Sequence, residues 1–265
     1  MSGAALELVP LGTNGYFPSH GRQTASYLLA HPGGVLLLDA GTGVGRLLEP
    51  ELAARVERHE RLDVLLTHYH LDHVVGLASL PAVARGRKVR IFAPAAPLTA
   101  AGTEALDRLI GPPLFPAAFH RWPMPVEVVP YAGSELAIGG LELRLRAQKH
   151  PGGSVGVRVG DFLAYVTDTV LDLATVALVR GVGTLLHEVW LDDDEAARED
   201  AGRSGHSAAS EVADLARAAA VGRLVPIHHH PRRSAAELDR LAAALRARAG
   251  VEVVQPVEGR AIALS

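Results

Sequence analysis

The sequence predicts an α/β fold in which β-sheets are covered by helices. Three observations support it. Hairpin-like strand pairs lead into a β–α–β–α alternation, a second half of strands and helices has a similar make-up, and ligand-type residues follow directly on apolar strands. At 265 residues and 48% hydrophobic content, the chain can bury a full core. No internal repeat, low-complexity tract or linker divides it, so a single domain over residues 1–265 is expected.

In chain order, residues 6–11 read as a first strand, ended by Gly12-Thr13-Asn14-Gly15. Runs 24–30 and 35–39 are joined by His31-Pro32-Gly33-Gly34, a hairpin signal. Leu47, Leu48, Leu52 and Val56 recur at helical spacing within 45–60, and strand 62–66 follows. Helix 74–84, strand 89–93 and helix 98–110 complete the first half. Residues 111–125 hold five prolines, which neither a helix nor a central strand accommodates, together with Phe115, Phe119 and Trp122. A long irregular loop with these aromatics is expected to wall the substrate side of a site. Strands 127–130, 135–138, 141–147, 154–159 and 162–167 come next. Gly139-Gly140 and Gly160-Asp161 read as two-residue turns of the kind that require positive φ. Helix 171–179, strand 184–189, helix 207–220 and strand 224–227 follow. Helix 234–249 opens with Ser234 and Glu237 as a capping box, and short strands at 251–254 and 260–264 end the chain.

A net charge of −3 argues against a long polyanionic partner, so nucleic acid is not expected. The chain has no cysteine, which excludes disulfides and thiolate sites and leaves His, Asp and Glu to hold any metal. The first residues show no basic segment followed by an apolar core, so no signal peptide is expected. No apolar run approaches the roughly 18 residues of a membrane span. A cytoplasmic location and a small-molecule substrate are the expectation.

The densest chemical signal is Thr67-His68-Tyr69-His70-Leu71-Asp72-His73, directly after the apolar run Val64-Leu65-Leu66. Imidazole and carboxylate suit zinc and similar divalent ions. A polar loop rich in histidine by chance is the bland alternative, and the H-x-H-x-D-H spacing speaks against it. Three further ligand-type residues, His150, Asp168 and His228, each sit at the end of an apolar strand, as a site built on a sheet rim requires.

This pattern closely resembles the signature of the metallo-β-lactamase superfamily. The resemblance implies a four-layer αββα sandwich, two mixed β-sheets flanked by helices, with a two-metal hydrolytic site at one edge. It implies that one ion takes His68, His70 and His150, that the other takes Asp72, His73 and His228, and that Asp168 bridges them. Zinc is the first expectation for the two divalent ions, and manganese and iron share the N/O donor chemistry. Among three consecutive histidines, His228 is the first past its strand, which leaves His229 and His230 outside the ligand set or at the pocket rim. Pro226 fits poorly inside a paired strand, so that strand is expected near an edge.

Leu11-Gly12-Thr13, Pro18, Arg22 and Ser26-Tyr27-Leu28-Leu29 resemble the RNase Z and phosphodiesterase branch, as do Leu186-His187-Glu188 and Gly205-His206-Ser207-Ala208. There the resemblance implies that His206, paired with Glu188, assists at the phosphate. Glu188 is followed by Val189-Trp190, where the branch has Ala-Thr, and Arg232 matches an arginine after the last ligand. The RNase Z family carries a tRNA-binding arm between the positions matching His150 and Asp168. Here residues 151–167 suffice only for two strands and a turn. The expected function is a metal-dependent hydrolase, a phosphodiesterase acting on a small or cyclic phosphodiester through a hydroxide held between the ions. Asp72 orients that hydroxide, and His206 with Glu188 handles the proton. Acyl hydrolysis of a thioester or lactone, RNase Z-type RNA cleavage and a non-catalytic metal-binding module are the alternatives, and a homodimer is left open.

Overall fold

The computed structural model describes residues 6–198 and 204–264, so most of the N-terminal stretch read for a targeting signal lies outside the described residues. Its first sheet contains β1 (Glu7–Gly12), β2 (Ser26–His31), β3 (Gly34–Leu38), β4 (Arg61–Leu65), β5 (Lys88–Pro94) and β6 (Val126–Tyr131). The second contains β7 (Glu135–Ile138), β8 (Leu141–Gln148), β9 (Ser154–Val159), β10 (Leu163–Val166), β11 (Thr184–Glu188), β12 (Arg223–Ile227) and β13 (Glu252–Val253). A last strand, β14 (Ile262–Ala263), returns to the first sheet. Strand order is β14-β1-β2-β3-β4-β5-β6 in one sheet and β13-β12-β11-β10-β9-β8-β7 in the other. Each sheet is antiparallel where hairpins build it and parallel from β3 to β6 and from β10 to β13.

The apolar pattern explains the layering. In β3 every residue is buried: Leu36 and Leu38 face the second sheet, while Val35 and Leu37 face the helices. A strand covered on both faces reads as a continuous apolar run. β8 instead alternates Leu141, Leu143 and Leu145 inward with Glu142 and Arg144 outward, because its outer face meets water. Between the sheets, Tyr27, Leu65 and Leu38 pack with Leu145, Tyr165, Leu186 and Val225. Outside the first sheet lie α1 (Pro50–Glu57), α2 (Leu71–Val74), α3 (Leu80–Ala84) and α4 (Glu104–Leu109). α5 (Thr175–Val179), α7 (Ala209–Ala218) and α8 (Ala235–Ala249) cover the second sheet, and α6 (Asp193–Arg198) is a short exposed turn of helix. The result is the four-layer αββα sandwich expected. Among the described residues no helix is long and apolar enough to cross a membrane.

Several boundaries differ from the sequence reading. The helix expected over 45–60 is a 3-10 segment, Thr42–Leu48, followed by α1, because Pro50 forces Glu49 into an extended conformation and then starts a helix well. The helix expected over 74–84 likewise breaks into α2, a 3-10 turn and α3, which restarts around Pro81. Most of 98–103 is not helical, since Ala100 N donates to Gly152 O and ties this stretch to the loop after His150. The β7–β8 turn is the two-residue Gly139-Gly140, both with positive φ, but Val159 pairs with Leu163, so the next turn has three residues. Pro226 lies one strand in from the edge, past the end of β13, which pairs only with Arg223 and Leu224.

The aromatic loop is a correction. Phe119, Trp122 and Met124 are buried in the core between the first sheet and its helices, and Phe115 packs against it. Trp122 Nε1 donates to Ala117 O at 3.0 Å, and the Phe119 ring meets it edge-on at 4.9 Å. None of these side chains lines the cleft described next. Rings this large contribute more by burial than by facing water.

Candidate metal centre

The parallel strands β3, β4, β10, β11 and β12 deliver the next residues to one rim: Asp39, the segment 67–73, Asp168, Glu188 at the end of β11 itself, and His228. Asp39, Asp168 and His228 all take left-handed backbone, with φ of 55°, 47° and 51°. Such a conformation is uncommon outside glycine and turns each side chain sharply off its strand. Gly15 makes the turn at His228 feasible, because a Cβ there would lie 2.3 Å from the His228 ring.

Around this rim the donors form overlapping groups, each with ligand atoms within 4.8 Å of one another: His68, His70 and His150; His68, His73 and Asp168; and Asp72, His73 and His228. All seven candidate donors therefore meet in one cluster. Asp168 lies between the two outer groups, with Oδ2 3.9 Å from His68 Nε2 and 3.2 Å from His73 Nε2, and Oδ1 3.0 Å from His228 Nε2. Asp72 Oδ2 is 3.4 Å from His73 Nε2 and 3.3 Å from His228 Nε2.

The hydrogen bonds behind the rings show which nitrogens are free. Thr67 donates its hydroxyl proton to Asp39 Oδ2 at 2.8 Å, so it must accept from His68 Nδ1 at 3.0 Å. His73 Nδ1 donates to Asp39 Oδ2 at 2.8 Å, and His150 Nδ1 donates to Gly205 O at 2.9 Å. In the neutral form of each ring Nε2 then keeps its lone pair and faces the cluster, although His73, its burial outweighed by the facing carboxylates, is raised well above the usual imidazole range. His68 Nε2 is buried with no hydrogen-bond partner among the described residues, and His150 Nε2 confronts His70 Nδ1 at 3.1 Å. Lone pairs converging on one point suit a cation, and N/O donors backed by carboxylate and carbonyl acceptors fit a divalent one.

Electrostatics point the same way. Burial lowers His68 well below the usual imidazole range, while His228 is pushed up to about 10, the carboxylates of Asp168 and Asp72 outweighing its burial. Asp168 and Asp72 are held well below the carboxylate range: burial opposes this, and the facing histidines overcome it. A cation therefore competes with protons here and releases them on binding.

Beside the cluster, His206 Nδ1 donates to Glu188 Oε2 at 2.8 Å, and Glu188, fully buried, also accepts from Thr169 N at 2.5 Å. His206 also falls within 4.8 Å of Asp168 and His228. The Trp190 ring stacks on His206 at 4.5 Å and 18°, and both line a cleft of about 430 Å³ with Asp72, Asp168 and His150. His229 is buried away from the donors; its N donates to Thr13 O, and burial with the nearby arginines lowers it to about 3. His230 packs edge-on against Trp190 at 4.6 Å. Arg232 is exposed, and the buried arginine is Arg233, whose Nη2 donates to Trp190 O at 2.8 Å. Sequence reasoning missed Asp39, Trp190 and Tyr16, whose N donates to Asp72 Oδ2 at 2.6 Å.

Fold and donor set together define a metal-dependent hydrolase of the metallo-β-lactamase class. The family model "Beta-lactamase superfamily domain" matches residues 35–229. Ribonuclease Z of Methanopyrus kandleri is 28% identical, covering 82% of this chain and 85% of its own, and that of Streptomyces coelicolor is 30% identical, covering 86% and 88%. Among solved structures, the metallo-beta-lactamase fold protein YhfI of Bacillus subtilis superposes with a TM-score of 0.79 at 18% identity, covering 98% of this chain and 100% of its own. Human tRNase Z short form gives 0.70 at 19%, covering 98% and 99%, and a diphosphatase of the PhnP family 0.67 at 17%, covering 97% of each. The chain belongs to the RNase Z-like metallo-β-lactamase family, which implies divalent-metal binding, and its His/Asp cluster suits such an ion.

Proposed function

We propose that this hydrolase is a phosphodiesterase for a small or cyclic phosphodiester, working as one domain with a dinuclear centre. His68, His70 and His150 would hold one ion and Asp72, His73 and His228 the other, with Asp168 placed to serve both. Zinc is the first assignment. The observation that carries the reading is the His206–Glu188 pair: His206 lines the cleft beside the donor cluster, and buried Glu188 holds it from behind. When bound, the ions supply Lewis-acid charge at the phosphoryl group and acidify the attacking water. Asp72 orients that water. The attacking water gives up one proton to solvent; as its oxygen bonds to phosphorus, the opposite P–O bond breaks and the leaving oxygen takes a proton from His206 Nε2. Glu188 holds the ring through Nδ1 and stabilises the imidazolium before transfer.

RNA cleavage is the second reading, favoured by the relatives named ribonuclease Z. It runs against the expectation that nucleic acid is not a partner. Supporting the small substrate, residues 151–167 are used up by the β9–β10 hairpin, and the net charge is −3. Zinc- or manganese-loaded protein should therefore hydrolyse bis(p-nitrophenyl) phosphate in preference to a precursor tRNA, a thioester or a lactone. Thioester turnover without phosphodiester turnover would overturn the class. His206→Ala should reduce kcat about 10²–10⁴-fold on a diester with a poor leaving group, and much less on p-nitrophenyl esters, at unchanged metal content. Equal losses on both would remove His206 from the chemistry.

A further inference from the structure

Tyr16 stands out at the mouth of the cleft. Its side chain is 70% exposed, yet it lines the same cavity as His70, Asp72 and Trp190. Its backbone is left-handed, with φ of 65°. A bulky residue is strained there, whereas glycine, which occupies the preceding position, is not. Two bonds hold the conformation: Tyr16 N donates to Asp72 Oδ2 at 2.6 Å, and Phe17 N donates to Gly15 O at 2.8 Å. The Phe17 ring, 47% exposed, meets the Tyr16 ring edge-on at 5.0 Å and 67° and braces it. No hydrogen bond among the described residues engages the Tyr16 hydroxyl, so what the site presents is the ring. A strained, braced and uncovered aromatic tied to a donor carboxylate is a preorganised stacking surface.

We propose that Tyr16 is a specificity-determining residue that stacks on a planar ring, a nucleobase, carried by one ester arm of the substrate. The inference rests on the phosphodiesterase reading and deepens it. The Asp72 contact ties the Tyr16 backbone to the donor cluster, so that its ring stands at the cleft that His206 also lines. A cleft of about 430 Å³ falls within the range that binds small ligands. Base–aromatic stacking strengthens binding by about 5–150-fold per base.

The test is calorimetric titration of the metal-loaded protein with adenosine 5′-monophosphate and with ribose 5-phosphate, which differ by the base alone. Wild type should bind the nucleotide at least about fivefold tighter. Tyr16→Ala should erase that gap, Tyr16→Phe should keep it, and Tyr16→Leu should keep little of it, all at unchanged metal content. Equal affinities in wild type, or a gap that survives Tyr16→Ala, overturns the proposal. Because titration reads binding, its outcome is separate from bis(p-nitrophenyl) phosphate turnover, which tests the phosphodiesterase reading itself.

Discussion

Asp39 accepts hydrogen bonds from Thr67 N, Thr67 Oγ1, His73 Nδ1 and Tyr165 OH, at 2.7, 2.8, 2.8 and 2.7 Å. Through Thr67 and His73 it sets the tautomers of two rings, and through Tyr165 it is bonded to the second sheet. Partners of this kind typically change metal affinity about 10–100-fold when removed. Asp39→Ala should therefore weaken metal binding by that range in a chelator competition, and an unchanged affinity would show that the rings are oriented without Asp39. The sequence carries the relevant signal, since Asp39 follows an apolar strand just as Asp168 does. What it does not carry is that β3 lies beside the strand leading to His68. Tyr16 and Trp190 were harder still, because an aromatic in a loop has no periodic pattern around it.

At the scale of elements, the 111–125 loop shows how composition misleads. Prolines correctly exclude regular structure, but the direction an aromatic faces depends on which layer lies beneath the loop. Trp122→Ala should lower stability by about 3–5 kcal/mol in urea unfolding and leave KM unchanged. A raised KM at unchanged stability would restore the loop to the substrate side. β4 and β5 are joined by Asp63, which accepts from Arg90 Nε and Nη2 at 2.8 Å each and from Arg61 Nε at 2.9 Å. Burial opposes ionisation there, yet the two guanidinium groups hold Asp63 below the usual carboxylate range. A depressed carboxylate contributes stability above its unfolded pKa of about 3.9 and loses it as pH falls through the lower folded value. Asp63→Asn should thus destabilise by about 1.5–3 kcal/mol at neutral pH. The gap to wild type should close below about pH 4, and a gap constant with pH would mean packing, not charge, is at stake.

At the scale of the whole molecule, the layer architecture was legible because parallel strands buried on both faces leave unbroken apolar runs, and hairpin turns such as Gly139-Gly140 announce themselves. The face-to-face docking of the sheets was legible only through the family resemblance, because it depends on contacts such as Tyr27 against Tyr165, 5.3 Å apart, from distant parts of the chain. The donor cluster sits across that same junction. A ligand that binds only the folded state stabilises it by about 2.7 kcal/mol at a hundred times its Kd. Chelation should accordingly lower the melting temperature of wild type in one cooperative step and should shift Asp168→Ala far less. The placement of donors along the chain has a consequence for how the protein is made. His73 and His228, whose Nε2 atoms lie 3.3 Å apart, are separated by 155 positions. At ordinary synthesis rates the first histidines are made roughly 8–30 s before the last one. An ion met in that interval meets an incomplete donor set, so the full set is presented only by the finished two-sheet framework.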